Sequence, residues 1–255
     1  MLEMSFPFQN TNGSTLNFDK DFYANLNPFP YFKEIFFQGE KNLLGNPWNG
    51  FGKFEYENRN IYHGNIQEGI PNGNGIILYT NGSRYEGNFD KGKLNGFGSF
   101  YDKNGEIYQG EFINGIENGY GKKTYCNGCV LQGKFIDGFP VGKGKISYSN
   151  GDIYEGSIKN EIPNGSGTYF HHNGDKYVGG FLNGVAHRRG KYYYNNHSLK
   201  NPNYFEGIFI ENKACIGKRI YPNGDIFESK KWVNDRICGE GSFKNEKENI
   251  EFVGE

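Results

Sequence analysis

The sequence predicts an all-β array of about nine β-hairpins, and three regularities predict it. Tyr-x-Gly triplets begin at Tyr62, Tyr85, Tyr108, Tyr154 and Tyr177, with Leu131 in the same slot, so the spacing is 23 residues. Gly-x-Gly pairs follow in phase at Gly73/Gly75, Gly96/Gly98, Gly119/Gly121, Gly142/Gly144 and Gly165/Gly167. Asn-Gly recurs at Asn81, Asn104, Asn127, Asn150, Asn173 and Asn223. A fixed period of this size marks a repeat array rather than a single compact enzyme domain.

Tyr85 to Ile107 serves as the type unit. Tyr85, Gly87 and Phe89 alternate with Glu86, Asn88 and Asp90, the period of a strand with one apolar and one polar face. Lys91 to Asn95 supplies a glycine-containing turn. Gly96, Gly98 and Phe100 mark the second strand, and Asn104-Gly105 suits a type I′ turn. The same face carries a large side chain beside each glycine in six consecutive units, which points to rings lying over bare backbone.

These triplets and pairs resemble the MORN repeat (membrane occupation and recognition nexus), over roughly Phe37 to Phe243. The resemblance implies an elongated, single-layer, twisted antiparallel sheet. Flanking copies are irregular: Phe37-Gln38-Gly39 opens an early unit, Phe205-Glu206-Gly207 a late one, and Phe227-Glu228-Ser229 the last, with Ser in the glycine slot. Residues 37–243 are thus read as the array. Residues 1–36 are a non-repeat segment, rich in rings, that either caps the first strand edge or docks on another protein. Asn195 to Asn203 is an expected protruding loop, and residues 244–255 a fraying tail or a last strand.

Composition narrows the function. A net charge of −1 with no basic stripe argues against nucleic acid. The start lacks the basic end and apolar run of a secretory leader, so a cytoplasmic setting is expected. Cys126-Asn127-Gly128-Cys129 flanks a surface turn and has no second pair, and His171-His172 reads as solvated turn residues without co-ligands. The two Gly-x4-Gly-Lys stretches lack the following Ser or Thr and the helix of a P-loop. No catalytic residues, metal site or cofactor are expected, and the chain is read as no enzyme.

The expected function is a scaffold that binds protein segments, helical or extended, in a partly exposed aromatic groove. The groove residues are Tyr62, Tyr85, Phe89, Tyr108, Phe112, Phe135, Tyr154, Tyr177 and Phe181. The resemblance places such scaffolds in cytoskeletal, ciliary or membrane-associated assemblies, hence at the cytoskeleton, the axoneme or a membrane periphery. The alternative is a peripheral adaptor for anionic phospholipid, with Arg188, Arg189 and Lys191 as the candidate anion contact. A homodimer is compatible with the open edges of an array.

Overall fold

The computed structural model describes residues 32–195, 203–233, 236–245 and 249–253. The cap or docking segment lies outside them up to residue 31, as do residues 196–202 of the expected loop. The chain divides into two units, one within Asn12–Pro140 and one holding Val141–Glu255.

Hairpins run in sequence order through the first unit: β1 (Phe32–Lys41) with β2 (Pro47–Tyr56), β3 (Ile61–Gln67) with β4 (Ile70–Leu78), β5 (Arg84–Asp90) with β6 (Lys93–Tyr101), and β7 (Ile107–Ile113) with β8 (Ile116–Thr124), then β9 (Val130–Ile136). The division falls within β10 (Phe139–Ser147). The second unit continues with β11 (Ile153–Lys159) and β12 (Ile162–Phe170), β13 (Lys176–Leu182) and β14 (Val185–Tyr193), β15 (Tyr204–Ile210) and β16 (Lys213–Ile220), and β17 (Ile226–Ser229). A two-stranded ribbon, β18 (Trp232–Val233) with β19 (Arg236–Ile237), interrupts it before β20 (Glu240–Lys244) pairs with β17 and β21 (Asn249–Val253) adds a last strand. Within each unit the pairing is antiparallel, and the described residues contain no helix. The first hairpin opens at Phe32, inside the segment read as non-repeat.

The type I′ turn expected at Asn104-Gly105 lies instead at the other turn of the unit. The short hairpin turn is two residues with both φ positive, such as Lys91 (48°) and Gly92 (77°), or Asn114 (51°) and Gly115 (83°). That is the I′ signature. At the Asn-Gly that closes the unit only the glycine is left-handed, as at Gly105 (φ 88°), and the loop closes through Gly105 N–H to Asp102 O and Asp102 N–H to Glu106 O. The physical reason lies in the asparagine side chain. Asn81, Asn127, Asn150 and Asn173 each accept, through Oδ1, the N–H two residues on, which holds the asparagine itself in the right-handed region.

The two glycines of Gly-x-Gly serve different needs. The first sits in a bulge and is left-handed, φ 87° at Gly96. The second lies beneath a ring: a Cβ on Gly98 would collide with the Tyr85 ring. Tyr85 folds back over Gly87 and Gly98, and its hydroxyl donates to Asn88 O at 2.9 Å. Tyr62, Tyr154 and Tyr177 repeat the bond to Asn65, Ser157 and Gly180, and Tyr108 donates to Glu111 O. Burial pushes all five phenols well above their ordinary pKa.

The repeat phenylalanines then stand edge-on to the tyrosines, Phe89 and Phe112 each between two of them. Phe89 meets Tyr62 at 5.1 Å and Tyr85 at 5.2 Å; Phe112 meets Tyr85 and Tyr108, both at 5.1 Å; Phe135 meets Tyr108 at 5.1 Å. In the second unit the ladder runs Tyr154, Phe181, Tyr177, Phe209, Phe205 and ends on Trp232, whose indole N–H donates to Gly217 O. The ring that lies against Gly217 is Phe205, in the slot of the repeat tyrosines. Ser229, in the slot where glycine is usual, turns its hydroxyl to Glu240 O.

Candidate partner-binding face

The expected aromatic groove is corrected by this packing. Tyr62, Tyr85, Phe89, Tyr108, Phe112, Phe135, Tyr154, Tyr177 and Phe181 are all buried, none more than 4% exposed. Each tyrosine turns back over its own glycine, and each phenylalanine fills the space between rings, so the ring face forms the core of its unit. A partner lying against the solvated surface meets other residues.

Among the described residues, the two most accessible rings are on the opposite face, at the position between the two glycines. Phe97 is 66% exposed and Tyr120 71%, and Phe51 holds the equivalent place in the first hairpin, edge-on to His63 at 4.8 Å. Beside Phe97 and Tyr120 runs an open trough of about 770 Å³. Its floor is the bare backbone of Gly87, Gly98, Gly110, Gly121 and Gly133. These glycines pair directly with one another across successive strands, Gly87 with Gly98, Gly98 with Gly110, Gly110 with Gly121, and Gly121 with Gly133. The trough therefore crosses the strands at right angles. Glu86, Ser99, Gln109, Lys122 and Gln132 form its polar wall. A second trough of about 710 Å³ lies beside Phe51. The period-two alternation that the sequence displays does place Phe97 and Tyr120 on the polar face; their aromatic character at that one slot is the signal that sequence reasoning passed over.

The candidate anion contact separates. Arg188 and Arg189 are exposed, but Lys191 pairs with Glu206 at 3.1 Å and lies over the Tyr204 ring at 4.3 Å. Burial works against the Lys191 charge, yet the Glu206 carboxylate outweighs it and raises the pKa. Arg188 stands where other units have the first glycine of Gly-x-Gly and keeps that left-handed backbone, φ 71°. A non-glycine residue there is strained by about 1 kcal/mol or more. Arg188→Gly is accordingly expected to raise stability by about 1 kcal/mol, read as a higher urea midpoint.

Acidic residues after Asn-Gly hold a second, structural constellation. Asp152 is buried and accepts from Tyr169 Oη at 2.7 Å, His172 N at 2.8 Å, His172 Nδ1 at 2.9 Å and Asn150 Nδ2 at 2.9 Å. One repeat on, Asp175 accepts from Tyr192 Oη and Asn195 N, each at 2.6 Å. Asn60 and Ser83 perform the same cross-repeat capture of the amides of Thr80 and Lys103. His171 corrects its reading as solvated: it packs between Tyr169 and Tyr192, with Nδ1 3.9 Å from Asp152. His172 remains exposed. Cys126 is exposed and Cys129 buried, both unbridged. Among the described residues, no group of three His, Cys, Asp or Glu side chains is gathered to hold a metal.

The model of the MORN repeat matches residues 62–84, 85–107, 108–130, 132–153, 154–176, 177–199 and 231–246, more than half of the chain. The chain belongs to the MORN-repeat family. Five of the seven matches begin at the tyrosines that cover the paired glycines, so the family unit and the packing unit share one phase. The MORN model passes over β15 and β16, where Gly207 still pairs with Gly217. Among solved structures, the chain is similar to the TCP domain of SAS-4 (dCPAP) of Drosophila melanogaster in complex with a proline-rich motif of Ana2 (dSTIL), at 18% identity over 66% of this chain and 89% of that one, TM-score 0.38. It is also similar to a mutant TCP10 domain of Danio rerio CPAP, at 13% identity over 86% and 95%, TM-score 0.39. No curated protein matches.

Proposed function

We propose that this MORN-repeat chain is a non-catalytic scaffold that binds a protein segment in the trough beside Phe97 and Tyr120. One observation carries the reading: two large rings stand open to solvent, two strands apart, over a floor of glycine backbone. Exposed rings of this size cost solvation unless a partner covers them, and tyrosine joins large apolar area to a wet end. The uses of the family support a setting in a cytoskeletal, ciliary or membrane-associated assembly. Anionic lipid is the weaker alternative, because Glu206 occupies Lys191 and leaves two arginines.

Gentle purification of the native protein with its companions tests this. Phe97→Ala combined with Tyr120→Ala is expected to lose the protein partner at low and high salt, while Arg188→Glu with Arg189→Glu retains it. Loss with the arginine pair alone, relieved by low salt or restored by acidic vesicles, would move the function to the membrane. Substituting Tyr108 or Tyr154 would test folding rather than binding, since both are buried.

A further inference from the structure

Resting on the trough as the partner site, we infer that its occupant is a proline-rich segment in the polyproline II conformation, basic at one end and acidic at the other. The argument starts from pitch. Phe97 lies on β6 and Tyr120 on β8, so the rings repeat every two strands, about 9.6 Å along the glycine line. A ligand that presents the same side chain to each repeat must have a matching period. Polyproline II has three residues per turn and advances about 9.3 Å per turn, so residue i and residue i+3 meet successive rings in the same orientation. An α-helix covers the distance in about 6.4 residues and arrives about 80° out of phase. An extended strand covers it in about three residues, an odd number, and so turns its side chain away at the next ring.

The walls agree with such a chain. Phe97 and Tyr120 offer exposed aromatic surface that proline rings can pack against, and bare glycine floors let a bulky backbone come close. A polyproline II segment has no internal hydrogen bonds, so its carbonyls are open to donors such as Gln109 and Gln132 on the polar wall. Charge then gives direction. Glu86 on β5 and Glu111 on β7 stand toward one end, and Lys122 on β8 and Lys134 on β9 toward the other. Arg84 lies 3.9 Å from Glu86 but is drawn over the Tyr101 ring, and Glu111 accepts the Tyr120 amide at the base of that ring. The complementary ligand is basic over β5 to β7 and acidic over β8 to β9.

Panning a random 15-residue peptide library on the immobilised full-length chain tests the inference, with the Phe97→Ala/Tyr120→Ala double variant as counter-selection. Both rings are exposed, so the variant keeps the fold, checked by an unchanged urea midpoint. Selected peptides are expected to bind the wild type at least tenfold tighter than the variant and to show proline at every third residue. Exchanging their terminal charges is expected to weaken binding at low salt. Ring-dependent peptides with helical, alternating or no spacing would overturn the polyproline assignment and leave the partner site standing. Peptides indifferent to the two rings, or none at all, would overturn both.

Discussion

Replacing Phe112 by alanine is expected to destabilise its unit by about 3–5 kcal/mol, the range for removing a buried phenylalanine. The ring is 1% exposed and stands edge-on to both Tyr85 and Tyr108. Its loss opens a hole between two repeats and removes two ring pairs, each worth about 0.5–1.5 kcal/mol beyond burial. The tyrosines cannot collapse into the gap without breaking their bonds to Asn88 O and Glu111 O. Because contacts in an array are nearest-neighbour, amide exchange should accelerate most in β5 to β8 and fade outward. Phe97→Ala is the control, an aromatic in the adjoining strand but on the solvated face, expected to cost within about 0.5 kcal/mol. Equal effects of the two substitutions, in urea unfolding and in exchange, would refute the assignment of the ring face to the core.

The array, its phase and its two faces were legible in the residues, because a strand declares its faces by alternation and Tyr-x-Gly repeats in register. Which face solvent reaches was not legible. That depends on Tyr85 folding back to the carbonyl of Asn88, three residues on, and on Phe112 entering the space between rings of different repeats. Pattern shows where a ring points, not whether its neighbours close over it. The turns show a similar limit. Asn104-Gly105 and Asn114-Gly115 are the same dipeptide, yet only the second forms the two-residue turn with both φ positive. The difference comes from loop length and side-chain capture, as where Asp102 Oδ2 takes the Asn104 amide. Asp152 stayed hidden because its partners Tyr169 and His172 lie 17 and 20 residues away.

Asp152 should make the stability of its unit depend on pH in two separate arms. Burial alone would raise its pKa, but the donors Tyr169, His172 and Asn150 outweigh that and hold it below 3.8. Its contribution is therefore complete above the ordinary carboxylate range and is lost as pH falls through the depressed native value. His171 works in the other sense. Burial lowers its pKa below 6.5, against the attraction of Asp152 and Asp175 and with added repulsion from His172. The unfolded chain then takes the proton first, so stability begins to fall as pH drops past about 6.5 and levels off below the native value. His171→Phe is expected to flatten that upper arm in urea midpoints measured from pH 8 to 3. Asp152→Ala is expected to cost about 2–4 kcal/mol at pH 7, since it strands the Tyr169 hydroxyl and the His172 amide. Asp152→Asn keeps the shape and should abolish the acid arm. It should also deepen the upper one, because the charge that offsets the burial of His171 is gone. An unchanged upper arm in Asp152→Asn would show that Asp152 and His171 are not electrostatically coupled.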